Sequence, residues 1–424
     1  AYASGGINMG NAAGAEGELY LNGGLYYAPG ETKLCINGRS LIVLDGGSYS
    51  NNGGNSYLPH YTGTGTLVVA SPQSTFYLGG WLSIGRLSNG VGNIYLSNGM
   101  FNVDSLDLPE KSNSVASMFV YNATAIVRST SSGPLDIAQD GASTGRGVVA
   151  KERGLIFAPG NNMNVGGGGN GTLIISNGTV NVKGMTIGGV AGAVGLVVVE
   201  AGSLIIPTNV LAVGANAPGT LILAHPDAYL EQGYDNGLTL GSALGVNGSF
   251  YLSNGTARVR QLLVGGSGSG YVWIGPGSLT VGHVLYIPNS SASAYGTGLM
   301  VVASTEAMVV VTQQTTRVGS GTLAGCSGAL VVCKGTVWLA NTEVGSSSDG
   351  SLHIGAATVT VVSTGGSGIK IGQGTGAGRV VLADSAAVLD LPGAELWVGG
   401  TGVNGSGTLI VSNGQVNAGF LHVG

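Results

Sequence analysis

The stretch FYLSNGTARVRQLLVGG, residues 250–266, decides the fold because close copies of it recur along the chain. The copies read IYLSNGMFNVDSL from residue 94, LIISNGTVNVKGMTIGG from residue 173 and LIVSNGQVNAGFLHVG from residue 409. The turn in each copy is Asn-Gly or its equivalent: Asn22-Gly23, Asn98-Gly99, Asn177-Gly178, Asn254-Gly255, Lys334-Gly335 and Asn413-Gly414. Successive turns lie 76, 79, 77, 80 and 79 residues apart. An interval this regular indicates a repeat architecture.

Each interval contains two weaker copies of the same phrase, such as GYVWIGPGSLTVGHVLYIP and GLMVVASTEAMVVVTQQTTRVG. The repeating unit is therefore about 26 residues long. It has three short strands: one before the turn, one after it, and one ending in a hydrophobic-x-hydrophobic-Gly signature. Apolar and polar residues alternate along the strands, which is typical of strands with one buried face. The pattern predicts an all-β fold, a parallel β-solenoid (β-helix) with about three strands per coil and roughly sixteen coils. Residues 1–424 then form a single elongated repeat domain.

An antiparallel fold is the alternative, because an Asn-Gly turn between two strands is also the signature of a β-hairpin. In a sandwich, propeller or prism array of hairpins, the two strands that flank each turn would pair with each other. The third strand in every unit and the irregular turn of VVASTEAMVVV favour the solenoid. In the solenoid, the Asn and Gly residues are corners that supply positive φ angles.

The composition excludes several classes of protein. Eighty of 424 residues are glycine and only 8% are charged, so Gly, Ser, Thr and Asn must build most of the surface. The net charge is -5, and the basic residues are scattered singly, which argues against nucleic acid as a partner. No apolar run approaches the roughly 20 residues of a membrane-spanning helix. The opening AYASGG is expected of a secreted protein whose signal peptide has been removed.

Catalytic and metal-binding patterns are weak. The 20 acidic residues are thinly spread, and the five histidines lack the spacing of metal ligands. We therefore expect no enzyme, no metal and no cofactor. Cys35, Cys326 and Cys333 are predicted to be lone thiols, with a Cys326–Cys333 disulfide as the alternative. Few titratable groups also predict a stability that depends weakly on pH.

Recognition is expected in the irregular segments 51–65, 108–114, 129–147 and 225–237, which look like loops added to the edge of the coils. Two of them carry candidate residues for contact with a surface glycan or matrix: Tyr57, His60 and Tyr61 in the first, and Asp227, Glu231, Tyr234 and Asp235 in the last. The alternatives are that the aromatic residues pack onto the coils and that the acidic loop is only solvated.

The ends of the sequence both match the third strand of a coil. These end strands contain Ile7, Asn8 and Met9 on one side and Phe420, Leu421, His422 and Val423 on the other. An uncapped solenoid end presents unpaired backbone groups to further strands. We therefore predict a structural subunit that assembles head to tail into a homopolymer, forming an extracellular filament or surface fibre. The alternative is an adhesin stalk that binds glycans through its loops.

The phrase GNGTLIISNGTVNVKGMTIGG, followed by GLVVVEAGSLIIP, resembles the glycine-rich repeat of autotransporter passengers and of PEP-CTERM surface proteins of bacteria. The resemblance covers nearly the whole chain and is clearest over 164–287 and 325–424. It implies secretion, a β-helical stalk and an extracellular or bacterial cell-surface location. The motif is specific for architecture and weak for activity.

Overall fold

The computed structural model describes residues 6–87, 89–128, 135–150, 153–233, 237–288, 295–321, 325–363, 367–399 and 405–424. These residues are β-strands, turns and loops, with no α-helix among them. They divide into two compact units, Ala1–Pro207 and Thr208–Gly424, each of which is described by itself.

Over its described residues, the first unit contains seventeen strands, which are β1 (Glu16–Leu21), β2 (Leu25–Tyr27), β3 (Thr32–Lys33), β4 (Arg39–Leu44), β5 (Ser48–Asn51), β6 (Ser56–Tyr57), β7 (Thr64–Val69), β8 (Thr75–Ser83), β9 (Val91–Leu96), β10 (Met100–Leu108), β11 (Val115–Tyr121), β12 (Thr124–Val127), β13 (Leu135–Ile137), β14 (Thr144–Ala150), β15 (Leu155–Val165), β16 (Asn170–Ile187) and β17 (Val194–Ile206).

The described part of the second unit continues with β18 (Leu211–Val213), β19 (Gly219–Leu223), β20 (Ala228–Gln232), β21 (Leu238–Leu240), β22 (Asn247–Leu252), β23 (Thr256–Val264), β24 (Ser269–Ile274), β25 (Ser278–Ile287), β26 (Thr297–Val302), β27 (Met308–Val311), β28 (Thr316–Val318), β29 (Ser327–Ala340), β30 (Thr342–Val344), β31 (Asp349–Val362), β32 (Ser367–Ile371), β33 (Ala377–Leu382), β34 (Val388–Val398), β35 (Ser406–Val411) and β36 (Gln415–Val423).

Each unit is a parallel β-solenoid whose coils have three faces. In the first unit the first face runs through β1, β4, β7, β9, β11, β14, β16 and β17, and each of these strands begins 23 to 29 residues after the one before it. The second face begins with β2 and β5 and the third with β3 and β6; both pairs are parallel. Long strands such as β10 extend over two faces of the coil. The register of β10 against β8 shifts between Val103 and Ser105. The predicted all-β parallel solenoid is confirmed, with about 15 turns.

The hairpin alternative is wrong, because the strands flanking the turn lie on different faces. Strands β22 and β23 flank the Asn254-Gly255 turn. Strand β22 pairs in parallel with β19 and β24. Strand β23 pairs in parallel with β20 and β25. The turn directs the chain to the next face, so each strand finds its partners in the neighbouring coils.

The core is built from inward ladders of apolar side chains that meet only when coils stack. On the first face of the first unit one ladder joins fully buried residues in successive coils: Leu44, Val69, Leu96, Val120, Val149, Ile175 and Val199. On the second face, the rings of Tyr26, Tyr49, Phe76 and Phe101 form a stack with successive centroid distances of 5.8, 4.9 and 5.4 Å. Stacked coils therefore supply the hydrophobic core that one coil lacks.

A glycine column, which sequence reasoning did not single out, lies on the first face of the second unit. It joins the second residue of successive first-face strands: Gly248, Gly270, Gly298, Gly328, Gly350, Gly378 and Gly407. A Cβ at Gly248 would overlap the carbonyl oxygen of Val213, and one at Gly328 would overlap that of Ile287. Glycine is required here because the third-face strand passes directly beneath.

Over their described residues, three of the irregular segments contain a strand of the coils, which corrects the expectation that they are loops added to the edge. Segment 51–65 contains β6, segment 129–147 contains β13, and segment 225–237 contains β20. Strands of two or three residues, such as β6 and β13, are too short to display an alternating pattern, so the residue pattern does not predict them. Their side chains are correspondingly buried, as at Leu58.

Candidate functional site

An aromatic cluster lies where the third face of the first unit turns its corner. Tyr57 ends β6 and is paired with Ser83 of β8, one coil further on. His60 and Tyr61 follow Tyr57 after the short Leu58-Pro59 segment. Trp81 and Arg86 belong to the coil that contains Ser83. We call Tyr57, His60, Tyr61, Trp81 and Arg86 the aromatic cluster.

The rings of the aromatic cluster pack against one another, and their exposure to solvent increases from Tyr57 to Tyr61. The His60 ring lies 4.7 Å from the Tyr57 ring, tilted by 45°, and 4.5 Å from the Tyr61 ring, edge-on at 88°. Tyr57 is 4% exposed, whereas Tyr61 is 43% exposed. Tyr57 is thus the buried base of the cluster, and Tyr61 presents its ring to solvent. Such packed rings resist reorientation when a ligand arrives.

A cation is held beside these rings. The Arg86 guanidinium lies 4.7 Å from the Trp81 ring centroid and 5.3 Å from that of Tyr57. Its terminal nitrogen donates to both carboxylate oxygens of Glu110, at 3.0 and 3.1 Å. The Glu110 side chain is only 6% exposed. Cation–π contact and a partly desolvated ion pair together hold the guanidinium in one orientation.

Glu110 is itself anchored from two sides. The hydroxyl of Ser83 donates to its carboxylate. The Lys111 ammonium lies 4.0 Å from the same carboxylate and 3.6 Å from that of Asp140. The charges around the aromatic cluster are therefore closely balanced, because each cation has a carboxylate partner.

Two further carboxyl groups lie beneath this corner, stacked in register. Asp107 is paired with Ser83 in one direction and with Asp136 in the other. Both carboxyl groups are almost fully buried, at 4% and 3% exposure. Burial, reinforced by the nearby charges of Asp136 and Glu110, raises the pKa of Asp107 to about 8. Asp107 is therefore protonated and uncharged at neutral pH.

The pKa of Asp136 is raised less than that of Asp107, on which the charges of Asp136 and Glu110 also act. Burial raises its pKa to about 6, against the hydrogen bonds from Asn164 and Gln139, which lower it. The Asn164 side-chain amide donates to the Asp136 carboxylate at 2.7 Å. These two buried groups are the exception to the weak pH dependence that the low charge content predicts.

His60 is neutral at neutral pH. Burial lowers its pKa below the usual 6.5, and the positive charges of Lys33 and Arg86 lower it further, while Glu31 opposes them. The imidazole therefore offers an uncharged ring that can pack against a ligand.

The arrangement is suited to binding rather than to acid–base chemistry. Its accessible elements are aromatic rings and the half-buried Arg86 guanidinium, while Glu110, Asp107 and Asp136 are buried too deeply to touch a polymer. Among the residues that the structure describes, no three His, Cys, Asp or Glu residues are grouped so that they could hold a metal ion. A ligand would meet rings and hydrogen-bonding groups here.

Sequence reasoning had selected Tyr57, His60 and Tyr61, which the structure brings together, but it missed Trp81, Arg86 and Glu110. One signal was present: Leu58-Pro59 and Leu108-Pro109 mark equivalent corners two coils apart. Aligning the third-face strands by this signal would have placed Glu110 near Tyr57.

The second predicted recognition segment lies in the second unit. The Asp227 side chain is 80% exposed and lies 3.5 Å from the His225 ring. Glu231 is exposed on β20 and accepts a 3.0 Å hydrogen bond from the hydroxyl of Tyr229. Tyr234 and Asp235 lie outside the described residues. Asp227 and Glu231 are thus placed on a solvated strand and its preceding turn.

The predicted corners use their two residues differently. Glycine takes the left-handed backbone at most of them, with φ of 83° at Gly23, 82° at Gly99, 90° at Gly255, 91° at Gly335 and 100° at Gly414. At the Asn177-Gly178 corner the asparagine takes this role, with φ of 139°. The Asn98 side chain bonds to both neighbouring coils, donating to the Ala70 carbonyl at 3.0 Å and accepting from Asn122 at 2.7 Å. The Asn254 side chain instead accepts from the N–H of Gly255 at 2.9 Å. Asn22, Asn254 and Asn413 precede their glycines in the same way.

The predicted end strands lie on the third face of their units. The Met9 N–H donates to the Lys33 carbonyl at 3.0 Å, and the Lys33 N–H donates to the Ile7 carbonyl at 2.7 Å. Asn8 is the bridge partner of Lys33. At the other end, Phe420, Leu421, His422 and Val423 form the last part of β36, paired with β34. The His422 ring stacks on Trp397 at 3.9 Å.

None of the three cysteines forms a disulfide, as the sequence predicts. Cys35 and Cys326 are buried, whereas Cys333 is exposed. The alternative Cys326–Cys333 disulfide is wrong, since a strand separates the two residues.

Comparisons with known proteins add little to this description. No family model matches the chain, and no curated protein matches its sequence. Among solved structures, the chain is similar to one described as "Crystal structure of TibC-catalyzed hyper-glycosylated TibA55-350 fragment", with 15% sequence identity and a TM-score of 0.21 over 100% of this chain and 99% of that one. That score is too low to inform the fold or the function of this chain. Over the described residues, no helix is long and apolar enough to cross a membrane.

Proposed function

We propose that this protein is an adhesin-like stalk that binds glycans outside the cell or at the bacterial cell surface. One observation carries the proposal: the exposed Tyr61 ring, backed by His60, lies in the same corner as the Trp81–Arg86 pair. The repeat that resembles bacterial surface proteins supports the location.

The chemistry of a sugar ring matches this corner. A pyranose has an apolar face of C–H groups, which packs on aromatic rings, and a polar edge of hydroxyl groups. Tyr61 and Trp81 supply rings, and the half-buried Arg86 guanidinium supplies donors to hydroxyls. Because the rings and the guanidinium are held by their neighbours, little conformational entropy is lost on binding.

The charge balance favours an uncharged sugar. Arg86 is paired with Glu110, and Lys33 lies 3.7 Å from Glu31. Arg86 and Lys33 are therefore both paired, so neither is available to a carboxylate or sulfate group of a ligand.

The test measures binding of the full chain to an array of neutral and acidic glycans. We expect Tyr61→Ala and Trp81→Ala to weaken binding at least tenfold. Tyr95→Ala is the matched control, because Tyr95 is 39% exposed on the first face and stacks on Phe119. Equal binding by all three variants and wild type, with unchanged melting temperatures, would exclude the aromatic cluster as the site. Deleting 51–65 is unsuitable, because it removes β6.

The proposed role involves no chemical step. We therefore expect bound glycans to be recovered intact, and we propose that the chain is not an enzyme. Release of new reducing ends from a neutral or acidic polysaccharide, lost on replacing Asp227, would contradict this. The assay is a reducing-sugar measurement over hours with purified protein.

Head-to-tail assembly into a filament is the second candidate function. It is favoured by the exposure of the last part of β36, where Phe420, Leu421 and Val423 are 67%, 60% and 76% exposed. Such a surface accepts a further coil, from the same chain or from a second copy. Electron microscopy and sedimentation over a wide concentration range test it. Filaments that disappear in Leu421→Lys would support assembly, and a monomer at every concentration would oppose it.

A further inference from the structure

A groove of about 860 Å³ crosses the first face of the second unit. Its lining comes from six successive first-face strands: β22, β24, β26, β29, β31 and β33. With about 4.8 Å between neighbouring strands, the groove is about 24 Å long. It is distinct from the aromatic cluster, which lies in the first unit.

The walls of the groove repeat with the coils. One wall is a column of hydrogen-bonding side chains in register: Asn247, Ser269, Thr297, Ser327 and Asp349. The hydroxyl of Thr297 donates to that of Ser269 at 3.0 Å. The glycine column, described above, faces the interior of the coil, so the floor between the two outward columns is strand backbone.

The second column is mainly apolar at one end. In register it contains Ser249, Tyr271, Leu299, Ala329, Ser351 and Arg379. The Tyr271 ring lies 5.7 Å from the Tyr251 ring at 63°, and both residues line the groove. Leu299 is 37% exposed. The groove therefore presents a polar column along its length, with an apolar stretch beside it at Tyr271, Leu299 and Ala329.

A peptide strand does not fit this groove by backbone pairing. Strand β24 already pairs over its whole length with β22 on one side and β26 on the other. The backbone donors and acceptors that a peptide would need are therefore occupied.

A polyanion does not fit either. The charged residues among those lining the groove are Asp349 and Arg379, which balance each other. Nucleic acids and acidic polysaccharides need several cations along the path of the chain. An uncharged polymer needs none.

We propose that this groove binds an unbranched, uncharged glycan lying along the solenoid. Each linked sugar advances by on the order of 5 Å, close to the spacing of neighbouring coils, so successive sugars meet successive members of the polar column. Tyr251, Tyr271 and Leu299 pack on ring faces, while the polar column binds hydroxyls. The inference goes beyond the proposed function, because it assigns an independent site to the second unit.

The experiment is calorimetric titration of the full chain with β-1,4-linked glucose, mannose and N-acetylglucosamine oligosaccharides of two, four and six residues. For at least one series, we expect affinity to rise at least tenfold from two to six residues. Ala329→Trp fills the groove from an outward position without touching the core, and it should weaken hexamer binding at least tenfold. Tyr271→Ala should do the same.

Two controls separate this site from other surfaces. Tyr229→Ala removes a half-buried tyrosine from the second face of the same unit and should change hexamer affinity less than twofold. Tyr61→Ala tests the aromatic cluster and should leave groove binding unchanged. The two proposed binding sites are thus tested independently of each other. The inference is overturned if no neutral series binds, if affinity is independent of length, if Ala329→Trp binds normally, or if only polygalacturonate or single-stranded DNA binds.

Discussion

Replacing Asp107 by asparagine removes a titrating group from the interior while preserving its shape. Asp107 is 4% exposed, and its folded-state pKa of about 8 lies above the ordinary value of 3.8. The folded protein therefore binds this proton more tightly than the unfolded chain does. The resulting stability is fully present below pH 3.8 and is lost as the pH rises from about 4 to about 8. Asp136, raised to about 6, acts in the same direction.

The size of the effect follows from the pKa difference. About four pH units at about 1.4 kcal/mol per unit give an upper limit of about 6 kcal/mol for Asp107. Relaxation and water penetration reduce the cost of a buried charge, so we expect wild type to lose about 2–4 kcal/mol through Asp107 between pH 5 and pH 8. Asp107→Asn should then be more stable than wild type at pH 8, and the difference should narrow towards pH 5.

The assay is urea unfolding of the full chain at pH 5, 6, 7 and 8, followed by far-UV circular dichroism. Wild type should show a midpoint that falls with pH, and Asp107→Asn should show a flatter curve. Asp45→Asn, at an exposed carboxyl, is the control and should follow wild type. Parallel curves for wild type and Asp107→Asn, or a wild-type stability that rises from pH 5 to pH 8, would refute the reasoning.

Three further substitutions test the packing and the ion pair. Phe76→Ala removes the centre of the buried ring stack and should lower the free energy of unfolding in urea by about 3–5 kcal/mol. A decrease below about 1 kcal/mol would mean that the stack does not stabilise the fold. Gly328→Ala should destabilise markedly, because its Cβ meets a backbone carbonyl, whereas Gly141→Ala has open space and should be neutral; equal melting temperatures would contradict the glycine column. Glu110→Gln leaves the partner guanidinium unpaired and should lower both stability, by about 1–3 kcal/mol, and glycan affinity; unchanged values for both would remove the ion pair from the site.

The solenoid could be predicted because its determinants are local and repeated. The Asn254-Gly255 turn, the alternating residues after it and the closing Val264-Gly265 describe one coil, and equivalents recur down the chain. The hairpin alternative shares the same turn and differs only in what the strands pair with. Only the parallel pairing of β22 with β24 decided between them.

The candidate site was only partly predictable. Tyr57, His60 and Tyr61 are neighbours in sequence and could be recognised as a group. Arg86 and Glu110 contact each other across 24 residues, and their contact exists only because consecutive coils stack. The same stacking buries Asp107 and raises its pKa, which no local pattern indicates.

The sequence by itself determined a three-sided coil, because alternating apolar residues and left-handed glycine corners act within a few residues of one another. The tertiary structure decided which side chains meet. First-face strands of the first unit begin 23 to 29 residues apart, so the residues brought into register depend on the length of every intervening corner. That register places Tyr271 beside Leu299 in the groove and Arg86 beside Glu110 in the aromatic cluster. Both arrangements arise from hydrogen bonding between coils, which local chemistry permits but does not specify.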